Sequence, residues 1–182
     1  DMGYREPEDM LRDADLAMYE AKAGGRARVA LFDTSMHQRM ADKLALESEL
    51  RLAIGAGQLS LVYQPLVALD GLRPLGFEAL ARWTHPVRGA ISPAVFVALA
   101  EESGHVQELT SWVIAQAVSQ LAQWHQAHPD QAHLGVHVNI SGRDLSWPGL
   151  LPHVKVVLER HALEPRHLTL ELTEDSLVEH AD

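Results

Sequence analysis

An α/β fold with mainly parallel strands is what this 182-residue sequence predicts. Three observations predict it. From Leu59 onward, strand-like runs alternate with helix-like ones. Within the strand-like runs apolar and polar residues take turns, so each has one apolar and one polar side. The joints are marked by Pro and Gly, as in His85-Pro86-Val87-Arg88-Gly89.

The elements follow in order. Pro7 suits a first helical turn, Glu8 and Asp9 suit its positive end, and Leu11, Ala14, Met18 and Ala21 recur at helical spacing until Gly24-Gly25. The apolar run Val29 to Phe32 predicts one short strand. A second helix is expected from about Ser35 to Ile54, carried by Met36, Met40, Leu44, Leu46 and Leu50 and stopped by Gly55 and Gly57. Strands are then expected near 59–67, 75–83, 134–141 and 167–173. Helices are expected near 93–103, 108–127 and 149–161, with another starting after Asp175. The stretch Ile114, Ala117, Val118, Leu121 and Trp124 gives the clearest buried stripe.

Composition bounds the function. The chain is 47% hydrophobic and 22% charged, the range of a folded globular protein. A formal net charge of -10 excludes a polymeric nucleic acid held through its phosphates, because that mode needs clustered Lys and Arg. A small anionic ligand is compatible if a metal neutralises it locally. With no cysteine, a metal must be held by oxygen or imidazole. No apolar run reaches the roughly 18 residues of a membrane span, and no secretory signal opens the sequence. A cytoplasmic setting, or the cytoplasmic part of a membrane-bound sensor, is expected.

Strand parity brings chemistry to one side. Glu78, Leu80 and Arg82 share a face opposite Phe77, Ala79, Ala81 and Trp83. His137 and Asn139 oppose Val136, Val138 and Ile140, and Thr169 and Glu171 oppose Leu168, Leu170 and Leu172. If these strands are neighbours, Glu78, Asn139 and Glu171 converge as an all-oxygen cluster suited to Mg²⁺ or Mn²⁺. Arg82 would grip a phosphate oxygen with its planar fork. Alternation alone equally describes a sheet with one solvated face, and parity does not choose between the two.

Several ordered motifs carry a resemblance. Tyr63-Gln64-Pro65 is followed by Gly76-Phe77-Glu78-Ala79-Leu80-Ala81-Arg82-Trp83-Thr84-His85-Pro86. Gly89, Ile91, Pro93 and Phe96 come next, then Ala100-Glu101-Glu102-Ser103-Gly104, Val138-Asn139-Ile140-Ser141 and Leu170-Glu171-Leu172-Thr173-Glu174. In this order and spacing, the chain from about Leu44 resembles the first half of an EAL-type cyclic-di-GMP phosphodiesterase domain. The resemblance implies an incomplete TIM-like (β/α)₈ barrel that belongs to an enzyme hydrolysing cyclic di-GMP to its linear dinucleotide with Mg²⁺ or Mn²⁺. It places Glu78, Asn139 and Glu171 on metal-ligand positions and Gln64, Leu80 and Arg82 on substrate-contacting positions. Glu78, Glu171 and Glu174 fall on catalytic positions, Glu174 as the acid that holds a later loop and affects metal binding and dimerisation.

The opening residues resemble the end of a GGDEF diguanylate cyclase domain, through Ala14-Asp15-Leu16-Ala17-Met18-Tyr19-Glu20-Ala21-Lys22 and Gly25-Arg26. The expected organisation is a GGDEF remnant at 1–33, a connecting helix at 34–57 and the first half of the EAL domain at 58–182, within a bacterial signalling protein. A (β/α)₈ barrel takes roughly 250 residues, and the paired aspartates, lysine and later glutamate of the family fall beyond Asp182. The 182-residue chain alone is therefore expected to lack phosphodiesterase activity. The alternative is a degenerate EAL module that binds cyclic di-GMP or a protein partner without cleaving it. Dimerisation is expected from the family.

The histidines are assigned more modest roles. His125 and His128, three apart before Pro129, are read as a solvated helix end, and His85 as a residue that shapes its loop. His137 is read as making an interior hydrogen bond. Trp83, opposite Glu78 in parity, should pack under a helix.

Overall fold

The structure is a computed structural model that describes residues 6–23 and 27–172. The chain divides into two compact units, Asp1–Ser48 and Glu49–Asp182.

In the first unit, α1 (Pro7–Ala23) begins at the expected proline and carries Glu8 and Asp9 in its first turn. Asp13 is buried on this helix, and its carboxylate meets His37 Nε2 at 2.9 Å. α2 (Ser35–Gly55) starts in the first unit, where Asp33 Oδ1 accepts the Ser35 N–H at 2.8 Å. That cap and the Arg39 guanidinium hold the Asp33 carboxyl below the usual range, chiefly through the Ser35 hydroxyl.

The expected strand over 29–32 is not formed. Val29 and Leu31 are 86% and 83% exposed, and four residues without a partner ladder have no sheet to join. The stop at Gly24-Gly25 and the helix after Asp175 lie outside the described residues.

The second unit is built on a mixed sheet. β1 (Leu59–Val67) and β2 (Pro74–His85) form a hairpin, and β3 (Gly89–Ile91) folds back on the end of β2. α3 (Pro93–Ser103) and α4 (Val106–Ala127) then cross to β4 (Gly135–Ile140). α5 (Gly142–Leu145) and α6 (Leu150–Arg160) cross to β5 (Leu168–Leu172). The order is β1-β2-β4-β5, with β3 paired to β2. The pairs β2–β4 and β4–β5 are parallel, as predicted, but β1–β2 and β2–β3 are antiparallel. The reason is reach: a parallel pairing needs a crossover of a dozen or more residues, and only residues 68–73 separate β1 from β2.

The apolar side of the sheet carries the core. Val136 and Val138 of β4 are fully buried, together with Ile114, Ala117 and Val118 of α4. Leu50 and Ala53 near the end of α2 are also fully buried. The Trp124 indole of α4 lies 4.7 Å from both the Tyr63 and the Phe77 rings, closing the sheet over its helices. Burial pushes the Tyr63 phenol up to about 12, so it stays neutral and serves packing. Trp83 is 1% exposed and meets Phe96 of α3 edge-on at 6.1 Å, under a helix as predicted.

Glycine is required where β2 and β4 approach. A Cβ on Gly76 would lie 2.5 Å from the Gly135 carbonyl oxygen, closer than any side chain can sit. α3 ends at Gly104, whose φ of 79° admits the left-handed cap that returns the His105 N–H to Ala100 O.

His167, just before β5, is buried beside His125, with ring centroids 5.1 Å apart. Its Nδ1 accepts the Glu164 N–H at 3.2 Å. Burial first, then the neighbouring His125 and Arg166, hold its pKa below the ordinary histidine value. The unfolded chain therefore takes up a proton before the folded one does. Stability is complete above the unfolded value near 6.5 and falls as pH drops from there toward the folded value. Urea midpoints are expected to decrease between pH 7.5 and 5.5. His167→Asn, which keeps an acceptor for the Glu164 N–H, is expected to flatten that slope.

Candidate functional site

The site stands on the polar side of the sheet, where register places residues side by side. Gln64 of β1 pairs with Glu78 of β2, and Glu78 pairs in turn with His137 of β4. One pleat on, Asn139 of β4 pairs with Glu171 of β5. Parity and strand order thus bring Gln64, Glu78, Asn139 and Glu171 onto one face of four adjacent strands.

The side chains connect diagonally. Asn139 Nδ2 donates to Glu78 Oε1 at 2.6 Å, and His137 Nδ1 donates to Glu171 Oε1 at 2.5 Å. Because an ionised carboxylate only accepts, the His137 proton sits on Nδ1. The hydrogen bond expected of His137 goes to Glu171, one of the candidate metal ligands. The Glu171 and His137 side chains are 41% and 28% exposed, so this face remains open to solvent.

Leu80 and Arg82 lie farther along β2, beyond Ala79, the last residue that pairs with β4. They line a cleft of about 190 Å³ with Pro93 and Val97 of α3, Asn139, and Asp144 of α5. Arg82 is half-buried, and its Nη1 donates to the Ala81 carbonyl at 2.9 Å. Glu174 lies outside the described residues.

Asp144 was not singled out from the sequence. It is fully buried, and its Oδ2 accepts from Thr110 Oγ1, Ser141 N and Ser141 Oγ at 3.0, 2.8 and 2.9 Å. Ser141-x-x-Asp144 is a capping box, readable from its spacing. The network fixes the loop just after Asn139 against α4.

His85 and His125 serve structure. His85 Nδ1 accepts the N–H groups of Val87 and Arg88 at 3.1 and 3.0 Å, which shapes the turn into β3 and occupies the lone pair a base would need. His128 is exposed, as expected of a solvated helix end. His125 is not: it is half-buried, and its Nε2 donates to Leu134 O at 2.9 Å, because the loop before β4 folds back over the end of α4.

Residues 47–182 match the EAL domain family. The chain belongs to that family. Among its curated relatives, MucR of Pseudomonas aeruginosa, a bifunctional diguanylate cyclase/cyclic di-GMP phosphodiesterase, is 38% identical over 174 residues. That match covers 96% of this chain and 25% of MucR. PdeR of Escherichia coli K12, a cyclic di-GMP phosphodiesterase, is 41% identical over 171 residues, 93% of this chain and 25% of PdeR. The chain thus spans about a quarter of the length of these relatives. Among solved structures, the cyclic-di-GMP complex of the PaMucR phosphodiesterase superposes with a TM-score of 0.69 at 38% identity, covering 76% of this chain and 55% of that one. The FimX EAL domain from Pseudomonas aeruginosa bound to cyclic di-GMP gives 0.63 at 28%, covering 76% and 52%.

The mixed sheet with helices on one side is therefore part of an EAL fold, an incomplete barrel in the described residues. Among them, no three His, Asp or Glu side chains could by themselves hold a metal ion. A cation on this face would need the Asn139 amide as well. Glu78, Glu171 and the Asn139 amide oxygen would offer such a cation hard donors, the kind that suit Mg²⁺ or Mn²⁺. Also among the described residues, no helix is long and apolar enough to cross a membrane.

Proposed function

We propose that this chain contributes half of the active site of a cyclic-di-GMP phosphodiesterase. The observation that carries the reading is the oxygen-rich face. Glu78, Asn139 and Glu171 stand on adjacent strands, Glu78 and Asn139 in direct contact, with Arg82 farther along β2 toward the cleft. The cyclic di-GMP phosphodiesterases among its relatives, and the cyclic-di-GMP complex of an EAL neighbour, support the substrate.

Glu78, Asn139 and Glu171 hold the divalent cation, which when bound lowers the pKa of a water and offsets charge on the attacked phosphate. Arg82 grips a phosphate oxygen with its planar fork, which orients the phosphodiester. Gln64, beside Glu78, and Leu80, in the cleft, contact the dinucleotide. Glu174 positions a following loop. Glu171 receives its proton-bearing neighbour, His137, on one oxygen and keeps the other for the cation.

The wider organisation belongs to the same reading. Residues 1–33 are the end of a GGDEF domain, 34–57 connect, and 58–182 open the EAL domain of a bacterial signalling protein that works in the cytoplasm and dimerises through EAL domains. Mg²⁺ or Mn²⁺ is its cofactor.

Three ligands leave much of a six-coordinate cation to water. The 182-residue chain is therefore expected to release no linear dinucleotide from cyclic di-GMP, while a protein carrying the whole EAL domain cleaves it. Chromatography of both reactions with Mg²⁺ and with Mn²⁺ checks this. Turnover by the 182-residue chain would refute its inactivity. Binding without cleavage by the longer protein would replace the enzyme with a receptor.

A further inference from the structure

We infer that His137 is a positioning residue for the metal site, holding Glu171 in the orientation that presents its second carboxylate oxygen to the cation. The inference rests on the reading of Glu78, Asn139 and Glu171 as ligands. It starts from a mismatch between register and bonding. By register Glu171 faces Asn139, and Glu78 faces His137. The bonds run the other way: Glu171 reaches His137 at 2.5 Å, and Glu78 receives Asn139 at 2.6 Å.

Two parallel diagonals result, and β4 supplies the donor of each. Every carboxylate is tethered through Oε1 alone, so each retains Oε2. A glutamate that is 41% exposed would otherwise sample many rotamers and lose that freedom on binding a cation. His137 removes part of this cost beforehand, as outer-shell partners do for ligating carboxylates.

The imidazole is itself held in place. Its Cα lies between those of Glu78 and Thr169 in neighbouring strands, and the side chain is 28% exposed, so the pleat restricts its orientation. Asn139 lies level with Glu171 by register, yet its amide nitrogen is turned to Glu78 on the opposite strand. Nothing in this role calls for His137 to change protonation. What matters is one N–H at the Nδ1 position, and asparagine can place an amide N–H close to it.

The test is Mn²⁺ binding without substrate, followed through the loss of the free-ion electron paramagnetic resonance signal at one fixed pH, with melting curves alongside. The 182-residue chain is compared with its His137→Ala, His137→Asn and Glu78→Ala variants. The expected result is weak, saturable binding that Glu78→Ala removes, that His137→Ala weakens about tenfold, and that His137→Asn largely restores. Equal affinity in the chain and in His137→Ala overturns the inference and leaves the ligand assignment standing. Equal loss in both His137 variants, with lowered melting temperatures, also overturns it, because His137 would then only staple two strands. Absence of any Glu78-dependent binding removes the ligand assignment, and the inference falls with it.

Discussion

In a protein carrying the whole EAL domain, Glu78→Ala is expected to lower the turnover of cyclic di-GMP by roughly three orders of magnitude with the fold preserved. On the proposed reading, the substitution removes one cation ligand and frees the Asn139 amide that was bonded to it. Metal stabilisation of the attacked phosphate is worth several kcal/mol, and about 1.4 kcal/mol corresponds to each decade of rate. Stability should hardly respond. Glu78 is only half-buried on the polar face, and a single hydrogen bond is worth about 1 kcal/mol. Initial rates of dinucleotide release, with circular dichroism melting beside them, separate the two effects. A variant that retains more than a tenth of the rate would remove Glu78 from the cation site.

The opposite pattern is expected on the other face of the same strand. Trp83→Ala should cost about 3–5 kcal/mol of stability, which for a chain of this size lowers the melting temperature by roughly 10–15 °C. Trp83 is 1% exposed, stacks edge-on against Phe96, and donates its indole N–H to Gln58 Oε1 at 3.3 Å. Alanine would leave a void between β2 and α3 that a close-packed core closes only in part. Trp83→Phe should cost markedly less, because it keeps most of the ring and gives up the bond to Gln58. Thermal melts of both variants check the ranking. The two faces of one strand thus separate chemistry from packing.

Why the site could be read so far ahead of the structure follows from strand geometry. A two-residue period assigns every side chain to a face without knowledge of the neighbours. On that basis Glu78, Asn139 and Glu171 share one face, and Trp83 lies on the other, against α3. What parity lacks is strand direction and diagonal contact. The antiparallel β1–β2 pairing could have been deduced from the six-residue connection, which is too short for a crossover. β3 escaped notice because three residues show no period. The bond between His137 and Glu171 joins residues offset by one pleat on different strands, and no local pattern encodes that. The run at 29–32 shows the converse error, in which strand-like composition is present without a strand beside it.

The six residues of β4 also determine where this sequence can tolerate changes in length. Because β4 provides both tethers, adding or deleting one residue within Gly135–Ile140 would exchange its two faces. Valines would then occupy the positions of His137 and Asn139, and the polar pair would be driven into the helices. In both of these bonds β2 and β5 supply the acceptor, so each loses its donor at once. Natural variation in length should therefore collect in residues 128–134 and 146–149, where the backbone runs outside the ladder, and β4 itself should keep a fixed count of residues.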